Sequence, residues 1–386
     1  MKFETLCLHG TKKDESFGAI SYPIYMTSIF GFESFEHGEK LFRKEVDGFR
    51  YTRIGNPTTE AFEELMVTLE NGEKAVAFAS GMGAISSTLF TLLEKGDRIL
   101  THNRIYGGTH ALFKEVMPGL GIDVVYIDER DPQNVRKAID GSTKVVYVET
   151  PTNPNLDIID IGKISKIASE MGAKTVVDNT FATPYLQNPL NLGADIVIHS
   201  ATKYIGGHAD CIGGVVVGGA EDAEKIRRRG LKNMGCAISP FNAWLLLRGL
   251  KTLPLRVEKS CENAKAVVDL LGNELSGEME RVYYPTLGEG REIAKRQMRD
   301  FGGVVSFEIR GGKKMAQRFL DRVKIITLSV SLGDCESLVE HPASMTHSTY
   351  TEKELKMAGI GPGLVRLSCG IEDKDDLIED IREAFR

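Results

Sequence analysis

A lysine follows an apolar run in the segment IVIHSATKYIGGHADC, residues 196–211. The run Ile196-Val197-Ile198 is typical of a buried strand, and Lys203 comes shortly after it. A lysine is costly to bury unless its amine is paired with a counter-charge or used chemically. Taken alone, the segment also fits a strand end from which the lysine amine reaches solvent. The choice between these interpretations depends on what the rest of the chain places beside Lys203.

Residues able to do chemistry follow several other apolar runs. After AVAFAS, a glycine-rich helix start at Gly81 and Met82 would offer backbone amides to a phosphate, or form a simple tight turn. After KTVV, Asp178 would be a costly strand-end carboxylate unless it meets a cation, or it would cap the next turn. Further residues of this kind are Tyr106, Asn153, Ser200, Thr202 and, in a later run, Arg366. Because functional groups collect at the carboxyl ends of strands in open α/β sheets, we expect these side chains to share one cleft.

This set matches the requirements of pyridoxal phosphate chemistry. Such an enzyme needs a lysine for the cofactor aldehyde, a carboxylate for the pyridine nitrogen, donors for the phosphate and an aromatic ring for stacking. An arginine would receive the substrate carboxylate through its planar fork. Lys203, Asp178, Tyr106 and Arg366 are candidates for four of these roles, and the helix start and hydroxyls for the phosphate. The glycines form neither a dinucleotide fingerprint, which would need glycine at Ser86, nor a P-loop.

The elements that must position these groups alternate regularly from about residue 56 to residue 250. Helical patterns mostly separate seven runs rich in valine and isoleucine, from AVAFAS to IGGVVVG. Such continuous apolar runs are typical of strands buried on both faces, which predicts an α/β domain with a mainly parallel seven-stranded sheet. Residues 251–386 group strands with helices and predict a smaller α+β domain. Residues 1–55 are turn-rich, and we expect them to form an arm on another surface, such as a neighbouring subunit.

Composition and motif spacing argue against several classes of function. The net charge of -6 provides no basic surface for nucleic acid or an anionic membrane. The sequence shows no apolar stretch long enough to span a membrane and no signal-peptide core, which favours a cytoplasmic location. The cysteines are scattered without a C-x-x-C pair and the histidines lack ligand spacing, so we expect neither a disulfide framework nor a metal site.

Five motifs carry a specific resemblance to a known family. They are YTRIGNPTTE, ASGMGAI, VVDNTFATPYLQNPL, SATKYIGGHAD and HPASMTHS. On these motifs, and from about residue 5 to residue 386, the chain resembles the Cys/Met-metabolism family of pyridoxal phosphate (PLP) enzymes. That family includes methionine γ-lyase, cystathionine γ-lyase, cystathionine γ-synthase and O-acetylhomoserine sulfhydrylase. The resemblance implies the aspartate-aminotransferase-like fold, fold type I.

The resemblance also implies how the chain holds PLP. Lys203 would bind the aldehyde covalently, Asp178 would pair with the pyridine nitrogen, and Tyr106 would stack on the ring. The residues that would hold the phosphate are Gly81, Met82, Ser200 and Thr202 of the same chain, with Tyr51 and Arg53 reaching the phosphate of the neighbouring subunit. A homodimer would therefore be the catalytic unit, usually paired into a homotetramer.

The implied reaction is γ-elimination on a sulfur amino acid. Asn153, Ser331 and Arg366 would position the substrate α-carboxylate. Lys203 would move protons between substrate carbons, and Tyr106 would protonate the leaving group. The final products would be a 2-oxo acid and ammonia.

The sequence does not decide which group leaves from the γ-carbon of the substrate. Val330 stands where cystathionine-processing relatives tend to carry an acid, and an apolar wall suits a thioether methyl, which favours methionine γ-lyase. Gly108 and Asn233 count against it, because methionine γ-lyases commonly carry cysteine and aspartate there. Cystathionine γ-lyase or γ-synthase is the next interpretation, and O-acetylhomoserine sulfhydrylase follows. SATK also fits the S-x-x-K of serine acyl enzymes, but S-D-N and K-T-G do not occur in the chain.

Overall fold

The seven apolar runs form one sheet in the computed structural model, which describes residues 1–11 and 17–386. The strands are β1 (Lys74–Phe78), β2 (Arg98–Thr101), β3 (Asp123–Tyr126), β4 (Thr143–Glu149), β5 (Lys174–Asp178), β6 (Ile196–Ser200) and β7 (Gly214–Gly218). Their order across the sheet is β1-β7-β6-β5-β4-β2-β3. β7 runs antiparallel to both of its neighbours, and the other adjacent strands are parallel. The predicted mainly parallel seven-stranded sheet is confirmed.

Both faces of this sheet are buried, which explains the continuous apolar runs. In β4, Val145 and Tyr147 enter one hydrophobic core, whereas Val146 and Val148 enter another. Side chains alternate between faces along a strand, so a strand covered on both sides has no polar alternation. The helices of this half of the chain are α1 (Phe3–His9), α2 (Phe35–Arg43), α3 (Pro57–Glu70), α4 (Gly81–Leu92), α5 (Gly107–Ala111), α6 (Pro132–Ala138), α7 (Ile161–Glu170), α8 (Thr183–Leu186), α9 (Ala220–Ile226) and α10 (Pro240–Leu250).

The chain after residue 250 builds a second sheet. Its strands are β8 (Met279–Tyr283), β9 (Val304–Ile309), β10 (Thr327–Leu328), β11 (Leu338–Glu340) and β12 (Leu364–Ser368), and its helices are α11 (Leu253–Gly272), α12 (Arg291–Gln297), α13 (Gly312–Leu320), α14 (Glu352–Ala358) and α15 (Lys374–Phe385). The order is β10-β11-β12-β9-β8, antiparallel except for the β10–β11 pair. One hydrophobic core contains residues of both halves, such as Phe62 of α3 and Phe307 of β9. A domain boundary between residues 250 and 251 remains our proposal.

The segment from residue 17 to α3 is largely irregular apart from α2. An isolated β-bridge joins Ile29 to Tyr51. Phe17, Ile20 and Phe35 leave 98%, 90% and 89% of their surface exposed. Concentrated apolar exposure of this kind is typical of a surface that meets another protein.

None of the helices in residues 1–11 and 17–386 has both the length and the apolar character that crossing a bilayer requires.

Candidate active site

A cavity of about 270 Å³ lies where loops after several parallel strands meet β12 of the second sheet. It brings together all of the predicted site residues except Tyr51 and Arg53. The predicted residues that line it are Gly81, Met82, Tyr106, Asn153, Asp178, Ser200, Thr202, Lys203, Val330, Ser331 and Arg366. Their separation along the chain is large, and the packing of the second half of the chain against the first brings them together.

The Lys203 amine contacts the loop between β10 and β11 of the second sheet. Its Nζ donates a hydrogen bond to Ser331 Oγ at 2.8 Å. Burial lowers the pKa of the Lys203 amine, and the positive charge of Arg366 lowers it further. The carboxylates of Asp334 and Glu340 oppose this shift. The amine therefore loses its proton more readily than an ordinary lysine does, which suits a nucleophile and a base.

Ser331 connects this lysine to Arg366. It adopts the left-handed backbone region with φ 91°, which is uncommon for a residue other than glycine. Its hydroxyl accepts from Lys203, and its carbonyl accepts from an Arg366 guanidinium nitrogen at 2.9 Å. Sequence reasoning assigned Ser331 to the substrate carboxylate, whereas the structure shows its hydroxyl engaged with Lys203. Asp334, which the sequence analysis missed, lies 3.5 Å from the Ser331 hydroxyl.

Asp178 is a buried carboxylate at the end of β5. Its Oδ1 accepts from the Thr180 amide at 3.1 Å and the Thr180 hydroxyl at 2.6 Å. The Tyr147 hydroxyl donates to its Oδ2 at 3.2 Å. Burial raises the pKa of Asp178, while the hydrogen bonds from Thr180 lower it. A cationic group in the cavity would favour the ionised carboxylate, which is what a protonated pyridine nitrogen requires of its partner.

Arg366 is buried inside β12, and its guanidinium forms an ion pair with a carboxylate of the protein itself. One guanidinium nitrogen donates to Asn153 Oδ1 at 2.9 Å. Another lies 2.9 Å from Glu340 Oε1, on the residue that faces Arg366 across the β11–β12 pair. Burial lowers the pKa of Arg366, and Glu340 raises it. Sequence analysis predicted that this arginine needs a carboxylate but missed Glu340, whose only sequence signal is an acid ending the short run SLVE.

The predicted phosphate residues lie around the start of α4. Ser80 caps this helix by accepting from the Gly83 amide at 3.0 Å, so the Gly81 and Met82 amides occupy its first turn. A Cβ added to Gly81 would lie 2.8 Å from Ser200 Cβ, so only glycine allows this close approach. The Thr202 hydroxyl is engaged with the Gly213 backbone at 3.1 and 3.2 Å.

Tyr106 stands immediately before α5 and leaves 43% of its surface exposed. Its amide donates to Glu149 Oε2 at 2.8 Å. A Cβ added to Gly108 would lie 2.5 Å from the Tyr106 ring and 3.1 Å from Met82 Sδ. The present position of the tyrosine ring therefore depends on glycine at position 108.

Tyr51 and Arg53 lie outside the cavity. The Arg53 guanidinium carbon is 5.6 Å from the centre of the Tyr51 ring, and the guanidinium donates to the Lys232 carbonyl. Their role at the phosphate of a neighbouring subunit stays a prediction.

Comparison with known proteins places this site in a family. The family model described as Cys/Met metabolism PLP-dependent enzyme matches residues 4–386. The chain belongs to that family. This family member is 48% identical over 385 residues to an L-methionine gamma-lyase of Fusobacterium nucleatum subsp. polymorphum, covering 99% of this chain and 97% of the relative.

Two further relatives carry other names. A cystathionine gamma-lyase of Bacillus subtilis (strain 168) is 42% identical to this Cys/Met-metabolism enzyme, with 100% of this chain and 99% of the relative covered. The crystal structure of cystathionine gamma synthase from Xanthomonas oryzae pv. oryzae in complex with cystathionine matches with a TM-score of 0.94 and 39% identity, covering 100% of this chain and 98% of that one. The fold type I prediction agrees with these neighbours.

The cavity of this Cys/Met-metabolism enzyme fits PLP. The amides that open α4 and the glycine cradle at Gly81 suit a phosphate, and the buried carboxylate of Asp178 suits a cationic ring nitrogen. Lys203, with its lowered pKa, suits the aldehyde. Among the described residues, no group of three or more His, Cys, Asp or Glu side chains could hold a metal ion.

Proposed function

We propose that this enzyme is a methionine γ-lyase, which converts L-methionine into methanethiol, 2-oxobutanoate and ammonia. The observation that carries the proposal is the apolar wall of the cavity, where Ile212, Val330, Phe181 and Leu332 are found. A thioether methyl is compatible with such a wall, whereas the zwitterionic end of cystathionine needs a charged partner.

The acidic and basic residues of the cavity support the same proposal. They are Glu149, Asp178, Lys203 and Arg366. Arg366 is paired with Glu340, and Glu149 holds the Tyr106 amide. With Lys203 and Asp178 assigned to the cofactor and Arg366 to the substrate α-carboxylate, Glu149 is the one remaining acidic or basic residue among the described lining residues, and its Oε2 accepts from the Tyr106 amide.

The mechanism assigns one task to each residue. PLP held by Lys203, Asp178 and the start of α4 would supply the electron sink that makes loss of the α-proton and of the γ-substituent possible. Arg366 and Asn153 orient the α-carboxylate, and this places the α-proton near Lys203. The Lys203 amine accepts that proton as a general base, because its lowered pKa favours the neutral form. Ser331 limits the amine's movement through its hydrogen bond.

Tyr106 is the acid for the leaving thiolate in this proposal. Its phenol lines the cavity, and its backbone is fixed by Glu149. A phenol that donates its proton to sulfur gives methanethiol directly. Asp178 keeps a negative charge at the far end of the cavity, held by Thr180 and Tyr147.

The proposal is tested by giving the purified, PLP-loaded enzyme L-methionine or L-cystathionine separately. Both substrates yield 2-oxobutanoate, so methanethiol and cysteine are assayed alongside it. We expect a higher kcat/KM for methionine. Turnover of cystathionine with little turnover of methionine would instead assign the enzyme to cystathionine metabolism.

Cystathionine chemistry is the second candidate, and Gly108 favours it. Methionine γ-lyases commonly carry cysteine at this position, and the Tyr106 ring here occupies the space that such a side chain needs. The relatives named for cystathionine, at 39% to 42% identity, support this alternative.

Replacing Val330 with glutamate should shift the preference towards cystathionine. Val330 leaves 48% of its surface exposed at the cavity, so a carboxylate there can remain hydrated until it meets a substrate ammonium group. We expect the ratio of kcat/KM for cystathionine over methionine to rise about five-fold, because one ion pair in a partly exposed site contributes up to about 1 kcal/mol. The neutral variant Val330→Gln is the matched control and should leave the ratio nearly unchanged. An equal kcat/KM ratio in the glutamate and glutamine variants would show that the side chain at position 330 does not determine substrate preference.

Replacing Gly108 with cysteine should displace the Tyr106 ring and lower kcat. A small misplacement of a catalytic group costs about ten-fold or more in rate. KM should change less, because the carboxylate-binding residues lie elsewhere. Gly119→Cys is the matched control, since a Cβ at Gly119 meets nothing within 4 Å. A Gly108→Cys enzyme with unchanged kcat would show that the tyrosine position in the free enzyme is not the catalytic one.

We also propose a homodimer as the catalytic unit, paired into a homotetramer, in the cytoplasm. The exposed apolar side chains of residues 17–35 and the position of Tyr51 and Arg53 outside the cavity support the assembly. Light scattering should therefore give a multiple of the chain mass, and an active monomer would contradict the assembly. Cell fractionation tests the location.

A further inference from the structure

Glu149 is a buried acid in the cavity that the mechanism uses only through its contact with a backbone amide. It is the last residue of β4, with 3% of its surface exposed, and it lines the cavity. Its Oε2 accepts from the Tyr106 amide at 2.8 Å. Its Oε1 is buried and has no hydrogen-bond partner among the described residues. Buried polar atoms are usually satisfied, so this oxygen requires an explanation.

The groups around Glu149 disfavour a negative charge on it. Burial raises the pKa of Glu149 well above its usual value, and the charge of Asp178 raises it further. The amides of Tyr106 and Asn153 and the charge of Arg366 oppose this shift without reversing it. His102, whose Nε2 accepts from the Glu149 amide at 3.3 Å, has its pKa lowered by burial to about 3 and is neutral.

Asp178 and Glu149 differ in how their oxygens are satisfied. Asp178 has three donors from Thr180 and Tyr147, which stabilise its ionised form. The backbone amides of Tyr106 and Asn153 are the donors near Glu149, and its Oε1 has no hydrogen-bond partner among the described residues. When two carboxyl groups face one cavity, the group with fewer donors retains its proton. The charge of Arg366 lowers the pKa of Glu149, but burial and the charge of Asp178 outweigh it.

We propose that Glu149 is a positioning residue that works as a neutral acid. Oε2 fixes the Tyr106 backbone, and Oε1 carries a proton that it donates in a hydrogen bond to an acceptor atom of the ligands bound in the cavity. No proton leaves Glu149 in this role. The assignment depends on the chain's membership of the PLP family and not on which sulfur amino acid is the substrate.

Infrared difference spectroscopy of the PLP-loaded enzyme at neutral pH tests the protonation directly. We expect the carbonyl band of a protonated carboxyl group to be present in the wild type and absent in Glu149→Gln. Glu129→Gln is the matched control, because Glu129 is fully buried, both its oxygens are unpartnered and burial raises its pKa well above the usual value. It should remove a different band. A Glu149→Gln spectrum that loses no protonated-carboxyl band overturns the proposal.

Kinetics and cofactor absorbance test the positioning role. Glu149→Gln keeps an acceptor for the Tyr106 amide and a donor on the other atom, so it should rescue most of what Glu149→Ala loses. We expect kcat to fall about ten-fold in Glu149→Ala with a smaller change in KM, as for a misplaced catalytic group. The pH midpoint of the bound cofactor's absorbance change should be the same in wild type and Glu149→Gln, since neither places a charge there. A shifted midpoint in Glu149→Gln would show that the wild-type residue is ionised. Equal kcat in the alanine and glutamine variants would contradict the positioning role.

Discussion

Replacing Lys203 with alanine should lower kcat by at least about 10³-fold, because in the proposed mechanism one amine serves as nucleophile and as general base. Lys203 is the cavity's only lysine among the lining residues, and its lowered pKa suits both tasks. The variant should fold normally, since the hydrogen bond that the amine makes within the described part of the chain is to Ser331 at the cavity. The measurement is kcat with saturating methionine, together with the absorbance of the bound cofactor.

Borohydride reduction provides an independent readout of the same prediction. In the wild type it should fix PLP to the peptide that contains Lys203, and mass spectrometry should locate the label there. Lys203→Arg is the matched control, because arginine keeps a positive charge but cannot act as a nucleophile or base near neutral pH. Label on another lysine of the wild type, or substantial turnover by the alanine variant, would assign the chemistry elsewhere.

Replacing Arg366 with lysine raises KM for the amino-acid substrate about 100-fold and lowers kcat much less. The guanidinium contacts Asn153, the Ser331 carbonyl and Glu340 from one planar group, and a lysine amine cannot reproduce that fork. Loss of a charge-assisted, two-point contact with a carboxylate costs about 3 kcal/mol, which corresponds to about 100-fold in affinity. Lysine retains the charge beside Glu340, so the buried acid keeps a partner.

The control for this variant is the same substitution at another buried arginine. Arg256 donates to the carbonyls of Tyr204 and Gly249, each at 2.7 Å, and does not line the cavity. Arg256→Lys should therefore lower the melting temperature and leave KM near its wild-type value. If Arg366→Lys changes stability but not KM, the substrate carboxylate binds another group.

The sequence predicted the seven strands because each carries a continuous apolar run, which is typical of a sheet buried on both faces. It also predicted which residues gather at the strand ends, since strand ends such as Asp178 can be read from the run itself. It could not predict the partner of Arg366. Glu340 faces Arg366 only through the β11–β12 register, which depends on pairing between segments distant in the chain.

The contacts around Lys203 and Tyr106 were unpredictable for the same reason. The Ser331 hydroxyl reaches Lys203 across 128 positions of sequence, and Glu149 reaches the Tyr106 amide across 43. Composition and periodicity carry no information about such pairs. The family resemblance supplied residue roles but did not show that Ser331 contacts Lys203 and Arg366 at the same time.

The backbone of Ser331 has a consequence for any change of substrate. The residue before it, Val330, lines the cavity and belongs to the proposed specificity wall, and Ser331 itself contacts both Lys203 and Arg366. Ser331 has its left-handed φ of 91° while its hydroxyl accepts from Lys203 and its carbonyl accepts from Arg366. A substitution at position 330 that favours a new leaving group therefore also affects the backbone of Ser331, on which the proposed catalytic contacts depend. Substrate specificity and turnover rate are coupled because the two residues are adjacent in the chain. Variants selected for a new substrate should therefore acquire compensating changes around Ser331 before they recover turnover.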